Sequence, residues 1–393
     1  MRCVPHFHDL RDSAIITRFP ALSLDTYHPP MNSSLQTELA GVRREIDAID
    51  RQVLELLSRR ASCAQEVGRI KSRHGEAGFP YRPEREAQVL SQIASHNPGP
   101  LPEEAVRQIF REVMSACLAL EHALKVAYLG PAGTFSESAS RKQFGTSPDL
   151  LPQTSIDDVF RIVESGNADY GVVPVENSTE GAVGSTLDLL LAHELKVCGE
   201  VQLRIHHHLL SRGEDISAAK RLYSHAQSLG QCHEWLNRHL PGLPRVPVAS
   251  NAEAARLAAG DPESCAIAGE AAAELYALNK LASNIEDNSS NSTRFLVIAR
   301  HEIGPSGRDK TSLVCSAPNR PGAVHALLEP FARYGIDMSR LQSRPAPAGL
   351  WEYVFYIDVI GHQNDAHVLA ALKELGERAG FIKVLGSYPI AAN

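Results

Sequence analysis

Residues 125–140 read KVAYLGPAGTFSESAS. A short apolar, β-leaning run enters a glycine turn and then a stretch of helical character, so the segment is a βα unit. The unit recurs downstream, which predicts α/β architecture. YGVVPVENS (170–178) is an apolar strand with a polar end, and STLDLLLAHEL (185–195) and KVCGEVQLRIHHHLL (196–210) follow it. RLYSHAQSLGQCHEWLNRHL (221–240), an Ala-rich helix within 251–259, CAIAGEAAAELYAL (265–278) and TRFLVIAR (293–300) complete a domain over 125–300.

Working back from Lys125, the period is helical. Leu35, Leu39, Val42, Ile46, Ile49, Val53 and Leu56 recur at spacings of four and three, a heptad-type stripe without an interrupting proline. Ser33 with Gln36 offers a capping box, and the pattern runs through Val67 and Ile70 toward His74-Gly75. Helices are also predicted over 83–96 and 102–123, giving an all-helical segment at 34–123. One helix is too long to bury its stripe alone, which suggests an intertwined dimer. Residues 1–33 lack an apolar h-region of the kind that follows the charged n-region of a signal peptide, and they carry Asp9, Asp12 and Asp25. They read as a poorly ordered tail, or as the product of a start codon upstream of a true start at Met31.

Working forward, HEIGPSGRD (301–309) is a linker. Beyond it, residues 310–390 give strand, helix, strand, strand, helix, strand, the βαββαβ order of a ferredoxin-like domain.

The whole chain has 393 residues, and Lys+Arg 39 against Asp+Glu 46 gives a net charge of −7. A mildly acidic chain is a poor non-specific nucleic-acid binder. No apolar run of the roughly 18 residues needed to span a bilayer occurs. The 7 cysteines are odd in number and form no CxxC, so they read as reduced thiols of a cytoplasmic protein. His206, His207 and His208 are expected on a strand, where only His206 and His208 share a face; with no further ligand at metal-like spacing, no metal site is assigned.

Several clusters carry chemistry. Arg43, Arg60, Lys71 and Arg85 are each compatible with a solvated helix face. Arg60 and Lys71, roughly 16 Å apart along a helix, can flank a small dianion, whereas Arg43, roughly 42 Å before Lys71, reaches the same ligand only from a partner's helix. GPAGTF opens a helix and offers backbone N–H groups to an anion, or is simply a tight turn; it is neither GxGxxG nor a P-loop. Glu176, Asn177, Ser178 and Thr179 follow an apolar strand, where open α/β sheets bind ligands. Ser224, His225 and Gln231, and Thr293 with Arg294, are further candidates, each also readable as a cap or turn residue.

At this point a resemblance enters. AGVRREIDAIDRQVLELLSRRASCAQEVGRIK, YRPEREAQVL and IFREVMSACLALE resemble the all-helical chorismate mutase domain. The resemblance implies that Arg43 crosses to the other subunit's site, that Arg60 and Lys71 bind substrate carboxylate and ether oxygen, that Arg85 and Glu86 hold carboxylate and hydroxyl, and that Glu121 faces the ether oxygen. Chorismate to prephenate is a [3,3] rearrangement needing no cofactor, only conformer selection and charge stabilisation. An ionised carboxylate only accepts hydrogen bonds, so Glu121 must be protonated to donate one.

GPAGTFS, PVENS and TRF together resemble prephenate dehydratase, which implies Thr293 as catalytic hydroxyl and a substrate cleft lined by Thr134, Glu176, Asn177, Ser178, Ser224 and Gln231, with Arg294 beside it. SHAQ stands where many members have SHPQ. The last segment resembles the ACT regulatory domain, implying a phenylalanine site at Gly322, Ala323, Val324, Gln342, Ser343, Arg344 and Pro345, where Gln342 replaces the usual Glu. The implied whole is a homodimer or higher oligomer, free of cofactor, converting chorismate through prephenate to phenylpyruvate under phenylalanine feedback. Two alternatives are a mutase fused to a non-catalytic solute-binding and sensor module, and a mutase–prephenate dehydrogenase; the lack of GxGxxG argues against the second.

Overall fold

The computed structural model describes residues 33–74, 81–317, 320–345 and 353–391. The expectations for residues 1–32, and for side chains at the Ser33 cap, lie outside this set. The chain forms two compact units, residues 1–58 and 59–393. Helix α1 spans Ser33–Arg73. In the first unit its apolar stripe, Leu35 to Leu57, is exposed; Val53, for example, is 47% exposed.

In the second unit, α2 (Pro83–Ser95) starts with proline at its first turn, where a missing N–H costs nothing. The next helix, α3 (Glu103–Ala119), ends earlier than the sequence pattern predicts. Leu124 is the reason: it is buried in the α/β core, so the chain leaves the helix to reach it. Glu121 therefore lies just past the helix, its N–H bonded to the Leu118 carbonyl.

From there the chain builds β1 (Lys125–Leu129), α4 (Phe135–Phe144), β2 (Asp149–Gln153), α5 (Ile156–Glu164), β3 (Tyr170–Asn177), β4 (Gly181–Ala182), α6 (Gly184–Ala192) and β5 (Lys196–Arg204). It crosses to a second lobe: β6 (His208–Ser211), β7 (Arg221–His225), α7 (Ala226–Gln231), α8 (His233–His239), β8 (Arg245–Val248), α9 (Asn251–Gly260), β9 (Ser264–Ala268), α10 (Glu270–Leu275) and β10 (Asn279–Ala282). It then returns to the first lobe as β11 (Ser292–Ala299). The first sheet runs β2-β1-β3-β11-β5 with β4 on β3, and the second β10-β6-β9-β7-β8. Serine caps start two of the helices: Ser155 accepts from the Asp158 N–H and Ser250 from the Glu253 N–H.

The last segment is β12 (Asp309–Ala317), α11 (Ala323–Arg333), β13 (Met338–Pro345), β14 (Tyr353–Ile360), α12 (Ala366–Arg378) and β15 (Phe381–Pro389), with sheet order β13-β14-β12-β15, all antiparallel. Alternation along its strands sends Leu313, Cys315, Phe355 and Ile357 into a core with the helices. Val314, Val354, Tyr356 and Tyr388 face the other way and join the core of the first α/β lobe. This sheet is thus a layer between its own helices and the first α/β lobe. At Gly386, φ is +150° and an added Cβ would overlap the Val197 carbonyl of β5, so only glycine permits this approach.

Candidate active site

The two α/β lobes enclose a cleft of about 470 Å³. Thr134, Phe135, Thr154, Asn177, Thr293 and Phe295 line it from the first lobe, and His207, His225, Gln227, Ser228, Gln231 and Asn251 from the second. Thr293 and Asn177 are register partners on β11 and β3. Asn177 Nδ2 donates to Thr293 Oγ1 at 2.9 Å and to Asn291 Oδ1 at 3.0 Å, while its Oδ1 accepts the Thr179 and Glu180 N–H groups. Asn291 Nδ2 donates to Gln231 Oε1 at 3.2 Å, which also lies 2.9 Å from His207 Nε2. Since Gln231 Oε1 only accepts, this chain puts the His207 proton on Nε2. Burial holds the His207 pKa below the usual imidazole value, so the ring is neutral near pH 7. The polarity has a chemical consequence. Thr293 Oγ1 already accepts a hydrogen bond from Asn177, so its own proton is available for a bound molecule.

Neither Lys nor Arg is among the cleft's lining residues. Positive potential comes instead from helix N-termini: Thr134 is the N-cap of α4, and Ser250 and Asn251 open α9.

The structure brings Thr134, Asn177, Gln231 and Thr293 together and separates the other expected cleft residues from them. Glu176, Ser178 and Arg294 lie one position from the cleft residues on β3, on β11 or just past β3, and alternation turns them to the opposite face of the sheet. There they line a separate cavity of about 350 Å³ with Lys310, Arg340 and Asp358. Ser224 is fully buried behind the cleft and donates to Asn251 Oδ1 at 3.2 Å, so it acts on the cleft through Asn251. The expected strand across the His run is also corrected. Residues 205–207 lie between β5 and β6, and the three rings diverge to Glu286, Gln231 and Glu270. Asn291 and Asn251 carry no expectation from sequence, and His207 is weighed there only as part of the His run, not as a cleft residue. Asn291 shares parity with Thr293, which is the signal that points to it.

In the helical segment, Glu121 borders a groove with Gln65, Gly68, Arg69, Ser72 and Arg73 of α1. Burial raises the Glu121 pKa, and the Lys71 charge offsets this only in part. Arg60 is half-buried and Arg43 and Arg85 are exposed. Glu86 does not join Glu121. It lies 3.5 Å from Arg111 Nε, in another cavity with Arg107, Glu200 and Arg308, and burial raises its pKa to about 7.

In the last segment, Gly322 has φ +80° and caps α11, whose first turn holds Ala323 and Val324. Gln342, Ser343, Arg344 and Pro345 end β13. Arg344 reaches out of its own sheet to Asp188 of α6 at 3.1 Å. No helix among the described residues is long and apolar enough to cross a membrane.

Comparison with known proteins follows the same division. Residues 42–122 match chorismate mutase type II, 126–303 prephenate dehydratase and 311–377 the ACT domain. A bifunctional chorismate mutase/prephenate dehydratase of Pseudomonas aeruginosa is 52% identical over 91% of this chain and 99% of that protein. One of Neisseria gonorrhoeae is 51% identical over 92% of this chain and 99% of its own length. The solved prephenate dehydratase of Arthrobacter aurescens in complex with L-Phe superposes with a TM-score of 0.64 at 36% identity, over 68% of this chain and 90% of that one. Three segments in this order, with half the residues shared along nearly whole relatives, place the chain in the bifunctional chorismate mutase/prephenate dehydratase family.

Proposed function

We propose that the cleft between the α/β lobes dehydrates prephenate and that Thr293 is its proton donor. The Asn177–Thr293 hydrogen bond carries this reading, because its direction leaves the threonine proton free. In the reaction, the bond from ring carbon to carboxylate breaks and its electron pair moves through the ring. The ring C–O bond breaks in turn, and the leaving oxygen takes up a proton and departs as water. Aromatisation drives the sequence, so a positioned hydroxyl suffices as donor to the leaving oxygen. The α4 and α9 N-termini, with Gln231 and Asn251, serve the two carboxylates. With neither Lys nor Arg among its described lining residues, the cleft favours release of carbon dioxide, since a fixed cation on the departing carboxylate would stabilise the ground state.

The mutase half works through Arg60, Lys71, Arg85 and Glu121, with Arg43 supplied by a second copy. The exposed α1 stripe supports that pairing: apolar side chains at heptad spacing need a partner. The last segment, a ferredoxin-like ACT domain, takes phenylalanine at Gly322–Val324 and Gln342–Pro345 as feedback effector. The reading places the protein in the cytoplasm, where its metabolite substrates lie and its thiols stay reduced. A coupled assay tests the whole: purified protein is given chorismate, and phenylpyruvate is followed by ultraviolet absorbance with and without phenylalanine. Thr293→Ala should stop phenylpyruvate while prephenate still accumulates. Phenylpyruvate formation at the wild-type rate in that variant would reject the donor assignment.

A further inference from the structure

Behind Thr293 and Asn177 lies a second rung of the same ladder. Arg294 pairs with Glu176 in the β11–β3 register, next to the Thr293–Asn177 pair. The register then slips between Arg294 and Phe295, so ladder bonds alone do not fix this stretch of strand. Both side chains point away from the cleft, and both are held from the regulatory domain.

Arg294 is nearly buried and fully engaged. Its Nε donates to Glu200 at 2.8 Å, Nη1 to Asp358 at 2.6 Å and Nη2 to the Tyr388 hydroxyl at 2.8 Å. Lys310 donates to the same Glu200 at 2.9 Å, and Ser312 donates to Asp358. Glu200 belongs to the dehydratase lobe; Lys310, Ser312, Asp358 and Tyr388 belong to the regulatory sheet. Each charge has its counter-charge, which is the condition for burying such a cluster. Glu176 is held differently. Arg340 Nε lies 2.9 Å from its carboxylate as an ion pair without hydrogen-bond geometry, and both Nε and Nη2 of Arg340 are buried with no hydrogen-bond acceptor among the described residues. An under-satisfied guanidinium beside a cavity of about 350 Å³ has both the room and the incentive to exchange partners. Arg340 sits on β13, two positions before Gln342 of the effector segment.

We propose that Glu176 and Arg294 are positioning residues for Asn177 and Thr293, and that Arg340 transmits the effector state of the regulatory domain to them. The saturated Arg294 cluster is the fixed pivot, and the Arg340–Glu176 pair is the movable grip. A shift of β13 changes the pull on Glu176 and swings the adjacent Asn177 amide relative to Thr293 Oγ1. Loss of that bond removes the donor that orients the Thr293 hydroxyl, so its proton is no longer directed at the bound molecule. This proposal rests on the assignment of Thr293 and of phenylalanine as effector made above.

The test uses full-length protein. Arg340→Gln should still bind phenylalanine by calorimetry, yet saturating phenylalanine should inhibit its dehydratase about tenfold less than it inhibits wild type, within the usual range of coupling between sites. In wild type, phenylalanine should lower kcat with little change in KM; in Arg340→Gln, kcat should stay near its uninhibited value. Glu176→Gln should give the same loss of response, and the double variant should be no worse than either single one. Arg340→Lys, which keeps the charge but not the planar fork, should recover part of the response and serves if the glutamine variant folds poorly. Inhibition of Arg340→Gln to the wild-type extent at saturating phenylalanine, or additive effects in the double variant, overturns the proposal. Thr293→Ala separates the two readings: dehydratase activity surviving there refutes the site assignment, whatever Arg340 does.

Discussion

A threonine hydroxyl donates more strongly and in a defined direction when its oxygen also accepts a hydrogen bond, and Asn177 supplies that bond here. Asn291 steadies Asn177 in turn. Asn291→Ala should therefore lower dehydratase kcat about tenfold, the worth of one positioning hydrogen bond near 1.4 kcal/mol. Asn291→Asp keeps the oxygen that accepts from Asn177 but loses the N–H given to Gln231 and adds a negative charge near a dicarboxylate, so KM should rise and kcat should fall less than in Asn291→Ala. Steady-state kinetics with prephenate distinguishes the two; equal kcat losses in both variants would count against the role. Glu121 gives a second outcome. Its raised pKa keeps the carboxyl protonated to higher pH than an ordinary glutamate. Mutase kcat should fall as pH rises through that raised value, and Glu121→Gln should flatten the fall. An unchanged profile in Glu121→Gln removes Glu121 from the reaction. At this scale the sequence was legible where a motif names a residue, as TRF and PVENS name Thr293 and Asn177. It was misleading where the motif's neighbours were carried along, because adjacent strand residues face opposite ways and cannot share a cleft. Glu176, Ser178 and Arg294 are that error.

Among elements, α1 was the most readable, since a heptad stripe over many turns has few other meanings. The end of α3 was not, because a local helical pattern contains no term for the pull of Leu124 into another core. The His run misled for a related reason. Its side chains have partners distant in sequence, such as Glu286 and Gln231, and those contacts override the β-leaning composition around it. The α1 stripe carries its own prediction. Val53→Asp places a charge in the seam that a second copy would cover. Sedimentation should show dissociation to monomer, with mutase turnover lost by at least about a hundredfold as Arg43 is withdrawn from the partner's site. Dehydratase turnover should remain, because its cleft is built within one chain. A monomeric variant with full mutase activity would show that the helical site needs no partner.

At the scale of the molecule, the order of architectures could be read directly, but not the way the regulatory sheet docks. Strand alternation predicts that such a sheet has two faces, and helices account for one. What covers the other depends on complementary charges dispersed over β5, β11, β12, β14 and β15, and no local pattern links them. The docking makes the dehydratase lobe and the regulatory sheet share a core through Val314, Tyr356 and Tyr388, so stability and regulation are joined at one seam. Gly386 is where that seam is tightest. Gly386→Ala forces a Cβ into the Val197 backbone from a φ that alanine resists, and overpacking of this kind costs about 1–3 kcal/mol. The seam should loosen, so a native-state protease should cut within 301–308 faster than in wild type, and dehydratase activity and its phenylalanine response should decline together. Mutase turnover should fall less than dehydratase turnover, since only α2 of the helical segment, which carries Arg85, is packed on β15 strongly enough to feel the change. The pattern separates a weakened seam from a broken relay: Arg340→Gln should lose only the response and keep wild-type protease resistance. If Gly386→Ala matches wild type in proteolysis and inhibition, the close approach of β15 to β5 does not hold the two domains together.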